Sequence, residues 1–140
     1  MCFTIHTSYS EPLIAEQDIK CYKNLSHYPK GDIYSPYRSE QYFSKKNKVS
    51  FTIKEVDYFY IDTSFILSYI SEGLHSYSTS QRAKQDLDKW DKTHLAIIPK
   101  GTKYYYNPED NEYVSLKLKV YKSTPIINLL HRILSVKLFK

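Results

Sequence analysis

The sequence predicts an α+β fold: a single domain over residues 1–140 with a largely antiparallel sheet, one central helix and an amphipathic C-terminal helix. Three observations lead there. Short alternations of apolar and polar residues recur along the chain, the pattern of strands with one face buried. Apolar residues fall at helical spacing in two places, after Ser78 and after Thr124. The composition, 41% hydrophobic and 16% aromatic with 3 Gly and 6 Pro, argues for one packed core and against a disordered chain. A chain of 140 residues typically buries roughly two-thirds of its unfolded surface, enough for that core.

Phe3 and Ile5 alternate with Thr4 and His6, and Ile19, Cys21 and Leu25 alternate with Lys20, Tyr22 and Asn24, giving two half-buried strands. From Ser26 to Asn47 the pattern dissolves among Pro29, Gly31 and Pro36, so a long aromatic surface connection is expected there. Val49, Phe51 and Ile53 form the next strand, which Val56–Ile61 continues or pairs with, while Phe65–Ile70 is ambiguous between strand and helix. Gly73 opens a short strand through Tyr77. Ser78 and Gln81 then have capping-box spacing, and Ala83, Leu87 and Trp90 follow at helical spacing, which predicts a helix of about three turns from Ser80 to about Lys92. His94–Ile98 is a strand closed by the Pro99-Lys100-Gly101 turn, and Thr102–Tyr106 is a second, closed by Asn107-Pro108-Glu109-Asp110.

The cleanest strand is Tyr113–Lys122, with Val114, Leu116, Leu118 and Val120 on one face and Ser115, Lys117, Lys119 and Tyr121 on the other. Thr124 and Pro125 suit an N-cap and first helical turn, so the core is read as 1–123 and the C-terminal helix as 124–140. Ile126, Ile127, Leu129, Leu130, Ile133, Leu134 and Val136 fill one side of that helix, which ends near Val136 because Lys137 would fall on the apolar face.

The charge is divided along the chain. All 15 acids lie at or before Glu112, leaving residues 1–112 near neutrality; residues 113–140 carry six cations and no acid. A solvated strand face and a cationic helix end account for such a segment, although it can also attract an anionic surface. Three of the twenty cations are Arg, the residue that reads guanine edges and phosphates bidentately, so no sequence-specific DNA reading is expected. The expected partner surface is residues 125–136, for a protein partner or a second copy of the chain, ahead of a membrane surface. Two cysteines give neither a disulfide framework nor zinc spacing, and the five histidines have no ligand spacing, so no metal and no cofactor are expected. With no apolar run long enough to span a bilayer, the expectation is a cytoplasmic protein.

The candidate site follows from the polar connections between these elements. His75 points opposite Leu74 on its strand and suits a base or a ligand hydrogen bond; Tyr77, Ser78 and Glu112 lie at strand ends nearby, and Tyr37 lies in the long connection. Helix capping and turn chemistry account for Ser78, Gln81 and Asp110-Asn111-Glu112 without any catalysis.

Two resemblances bear on this region. The order Ser78-Thr79-Ser80, Ile98-Pro99-Lys100-Gly101-Thr102-Lys103 and Asp110-Asn111-Glu112 before a final strand, over about residues 73–122, is similar to the C-terminal half of ADP-ribosyltransferase-like domains. That resemblance implies NAD as cofactor, Ser78 in the nicotinamide pocket, and Glu112 as the catalytic carboxylate that stabilises a cationic sugar. The family's Arg or His on its first core strand is replaced by Cys21-Tyr22-Lys23, which offers Lys23 as the dinucleotide-binding cation. Ile14–Lys23, Ser35-Pro36-Tyr37, Glu72–Tyr77 and Ile98–Tyr104 resemble, in the same order, a set of small proteins of gut Bacteroidales and their phages. That second resemblance covers most of the chain and implies an accessory or binding module, phage or mobile-element encoded, rather than a role in central metabolism.

Overall fold

A computed structural model describes residues 3–5, 11–29, 33–35, 38–42, 54–56, 58–62 and 68–121. The fold is dominated by antiparallel sheet. In chain order the strands are β1 (Phe3–Ile5), β2 (Leu13–Ile14), β3 (Ile19–His27), β4 (Ile33–Ser35), β5 (Arg38–Tyr42), β6 (Lys54–Glu55), β7 (Tyr60–Asp62), β8 (Ser68–Glu72) and β9 (Leu74–Tyr77). After these come helix α1 (Ser80–Gln85) and β10 (Asp91–Ile98), β11 (Lys103–Asn107), β12 (Glu112–Ser115) and β13 (Lys117–Val120). β1, β8 and β7 form a small sheet in that order. The main sheet runs β2-β11-β12-β9-β3-β10-β13-β6, with β4 and β5 added as a hairpin beside β3. The expected strand Val49–Ile53, Tyr37 and the C-terminal helix 124–140 lie outside the described residues.

Its backbone is the β3–β10 ladder, with eight register pairs from Ile19↔Ile98 to Ser26↔Asp91. That ladder corrects the expected helix, because Asp91 and Trp90 belong to it: Ser26 Oγ donates to Asp91 Oδ1 at 2.6 Å, and the His27 amide donates to the Trp90 carbonyl. α1 therefore ends at Gln85, and Leu87 and Trp90, apolar at helical spacing, are exposed. The cap is also shifted by one residue. Thr79, not Ser78, accepts from the Arg82 amide at 3.1 Å.

The expected strand Tyr113–Lys122 is two arms of one bent strand. β12 and β13 are separated in sequence by Leu116 alone, yet in the sheet β9, β3 and β10 stand between them. Four strand spacings span about 19 Å in a flat sheet, whereas two Cα steps reach at most about 7.6 Å. The sheet must therefore curl until the bent strand closes it, a corner made by one strand changing partners. Leu116 bonds to both flanks at the corner, its amide to the Lys103 carbonyl and its carbonyl to the Val56 amide. Ser115, expected on the solvent face, is fully buried and donates to the Lys117 carbonyl at 3.1 Å, bracing the bend.

Register places Cys21, Ala96 and Val120 in one row across three strands, and Ser115 in register with Leu74. With Leu25, Ile98 and Leu118 they form the main core on the inner face of the curl. The outer face carries α1 and the small sheet, where Ile70, Tyr105, Val114 and Phe59 form a second cluster. Gly73 is the joint at which the chain leaves the small sheet for the large one. Its φ of 145° disfavours any side chain, and a Cβ there would collide with the Val114 side chain. The long connection after Ser26 is partly structured, since Ile33 and Ser35 on β4 are buried.

Candidate functional site

The end of β9 nearest α1 is where polar side chains concentrate. β9 alternates, Leu74 and Ser76 inward, His75 and Tyr77 outward. β12 runs antiparallel beside it with Glu112 in register with Tyr77, so Glu112 shares the outer face. The diagonal contact follows: His75 Nδ1 lies 3.1 Å from Glu112 Oε1, with side-chain exposures of 17% and 7%. A carboxylate accepts, so Nδ1 carries the hydrogen, and in the neutral ring Nε2 holds the lone pair. Turn chemistry sets the entrance to β12. Asn111 adopts a left-handed conformation at φ 51°, and its carbonyl accepts from the Ser78 amide at 2.8 Å.

A second network adjoins the first. The Tyr77 hydroxyl donates to Asp86 Oδ2 at 2.7 Å, and Arg82 Nη1 donates to the same oxygen at 2.9 Å. The Arg82 guanidinium also lies 4.9 Å from the centroid of the Tyr77 ring. Burial, the Asp86 hydrogen bond and the nearby Glu112 hold the Tyr77 phenol well above its usual range, so it stays a donor. Burial alone would raise the Asp86 carboxyl, but the Tyr77 and Arg82 hydrogen bonds outweigh it and hold the group below its ordinary range.

Lys23 approaches from the inner face. It is 4% exposed, and its ammonium donates to the His75 carbonyl at 2.7 Å. Burial lowers its pKa to about 8, against the attraction of Glu112. Lys23, His75, Tyr77, Ser78 and Glu112 thus meet around one strand end, while Tyr37 lies outside the described residues. Arg82 and Asp86 were missed in the sequence, although their i,i+4 spacing on a helix start is a legible signal. Among the described residues no group of three or more His, Cys, Asp or Glu could hold a metal ion, and no helix is long and apolar enough to cross a membrane.

These features define an antiparallel sheet curled closed by a bent strand, with a polar network at one strand end. Comparison with protein-family models, with curated proteins and with solved structures finds no match.

Proposed function

We propose that the protein is a small accessory binding module that takes a polar ligand on the outer face of β9 and β12, at His75, Tyr77 and Glu112. The observation that supports this reading is the His75–Glu112 pair, an imidazole oriented through Nδ1 by a buried carboxylate. Orientation of that kind fixes the imidazole on the outer face beside Tyr77, where its polar edge suits a polar ligand. The adjoining Tyr77–Asp86–Arg82 network fixes the rim, since each member is held by at least one other. A fragment screen by protein NMR, with simple amides, phenols and nucleobases as probes, tests the reading. Binders should move the His75 and Tyr77 resonances together, and His75→Ala should abolish the response. Hits that leave both resonances unmoved would refute the assignment.

A second reading, an ADP-ribosyltransferase-like enzyme or a degenerate relative using NAD, draws on the placement of Glu112 at the start of β12 beside Tyr77 and Ser78. The carboxylate is paired with His75 and Lys23 with the His75 carbonyl, so both would have to change partners to meet a dinucleotide. Nicotinamide release from NAD, lost in Glu112→Gln, would favour this reading over simple binding.

A further inference from the structure

The connection from α1 to β10 holds apolar side chains in solvent on a backbone that is firmly tied down. Leu87 and Trp90 are 39% and 43% exposed. Tyr28 is 42% exposed and stands beside them, because the amide of the preceding residue, His27, donates to the Trp90 carbonyl. Polar groups fix the loop. The Asp91 amide donates to the Asp88 carbonyl at 3.0 Å and the Asp88 amide to Asp91 Oδ2 at 3.0 Å, while Asp86 is gripped by Tyr77 and Arg82. Leu87 and Trp90 thus forgo the burial that such side chains ordinarily gain, and a cluster of exposed apolar groups marks a contact surface where scattered single ones do not.

The charge displayed around this cluster is mostly positive. Residues 82–92 carry Arg82, Lys84, Lys89 and Lys92 against Asp86, Asp88 and Asp91. Asp86 is neutralised by Arg82, and both oxygens of Asp91 are taken, by the Ser26 hydroxyl and the Asp88 amide. Lys84, Lys89 and Lys92 are all exposed, and Asp88 is the exposed acid among them, so the surface favours an anionic partner. Four consecutive exposed residues, Leu87–Trp90, make the connection stand out from the sheet, which gives a peptide neither a groove nor a free strand edge to enter. Base stacking is disfavoured as well. Lys89 Nζ lies 4.9 Å from the Trp90 ring centroid and the Tyr34 ring centroid 5.8 Å from that of Tyr28, so a neighbour already lies against each ring. A lipid surface accommodates every member of the set: aromatic rings settle at headgroup depth, a leucine reaches the acyl boundary, and lysines meet the phosphates.

We propose that the Leu87–Trp90 connection, with Tyr28 beside it, is a docking surface for an anionic lipid bilayer. Leu87 and the rings of Trp90 and Tyr28 enter the interface, and Lys84, Lys89 and Lys92 supply the attraction. The loop is already held in shape by Asp86, Asp88 and Asp91, so docking requires little further ordering of the chain.

Trp90 is the single tryptophan of the chain, and its fluorescence therefore reports this loop alone. With the full chain, vesicles of phosphatidylcholine containing about 30% phosphatidylserine should shift its emission to the blue in a saturating manner, and brominated acyl chains should quench it. Vesicles of phosphatidylcholine alone should bind far more weakly. Leu87→Ser alters an exposed side chain, keeps the reporter and should fold; it is expected to weaken partitioning about tenfold. Lys84→Gln, Lys89→Gln and Lys92→Gln, made together, should weaken it by about fivefold per lysine. Failure to co-sediment with the anionic vesicles would overturn the proposal, as would unchanged partitioning in either variant. Co-sedimentation that leaves Trp90 emission unshifted and unquenched would also overturn it, because another basic surface of the chain would then carry the contact. A blue shift given by a single-stranded oligonucleotide and not by vesicles would replace the bilayer with nucleic acid.

Discussion

His94 shows how one buried side chain ties three strands and sets a pH dependence. Its Nδ1 lies 3.0 Å from the Tyr121 carbonyl and its Nε2 lies 2.7 Å from His27 Nε2, with the two rings stacked. A carbonyl only accepts, so Nδ1 of His94 carries the hydrogen; its Nε2 must then accept, and His27 Nε2 donates. Protonating His94 would set two N–H groups against each other. Burial first, then His27 and Lys92, push the His94 pKa down to about 4 against the Tyr121 carbonyl; burial and Lys92 also lower that of His27. Both folded-state values lie below the unfolded value, so the unfolded chain binds more protons between about pH 6.5 and 4. Stability is fully present above that window and falls as pH drops through it, by on the order of 3 kcal/mol from His94. Denaturant unfolding of wild type and His94→Leu at pH 7 and pH 4.5 checks this. The variant is less stable at pH 7, but its loss between the two pH values should be smaller. Equal losses would remove His94 from the acid limb.

At the level of elements, the joints carry more information than the strands. Gly73 joins β8 to β9 with a backbone conformation that side chains rarely adopt, and the Val114 and Phe59 side chains occupy the space a Cβ would need. Gly73→Ala should cost about 2 kcal/mol or more, through strain at positive φ together with overpacking. Thermal denaturation reads that cost, and Gly101→Ala makes the control, since Gly101 has φ 86° but open space around it. A loss at Gly73 no larger than at Gly101 would mean that packing adds nothing there. Alternation made β3, β9, β10 and the β11–β12 hairpin legible, because each keeps one face in the core. It hid the bend at Leu116, because Val114 and Leu118 stay buried on both sides of the corner although they serve different clusters. Helical spacing of Leu87 and Trp90 pointed to a longer helix than forms; the competitor was the β3–β10 ladder, whose partner lies 65 residues away at Ser26 and is invisible to a local pattern. The outward direction of His75 could be read from Leu74 and Ser76, but its meeting with Glu112 depends on a register set by the curl. Lys23 gave the opposite lesson. A lysine in an alternating strand suggests solvent, and this one lies inside.

For the whole molecule, closure by a bent strand makes the fold depend on its last described segment. β13 covers the open edge of β10, with Val120 opposite Ala96 and Lys119 opposite Ile97, and Leu118 and Val120 complete the inner core around Cys21. The Tyr121 amide and carbonyl add bonds to Leu95 and to the His94 ring. A chain ending after Ser115 loses all of this and leaves Ala96, Ile98 and Cys21 exposed along the seam. It should fail to unfold cooperatively, because the remaining sheet has no second layer over its inner face. A chain ending after Ser123 keeps every one of these partners and removes only the apolar segment that the sequence assigns to a C-terminal helix. That chain is expected to remain a folded monomer, with any self-association or partner binding of the full chain lost. Thermal unfolding by circular dichroism and light scattering on the three lengths separate the cases. Cooperative unfolding of the shortest chain would show that the bent strand is not needed for closure, whereas collapse of the chain ending after Ser123 would make residues 124–140 part of the core instead of an interface.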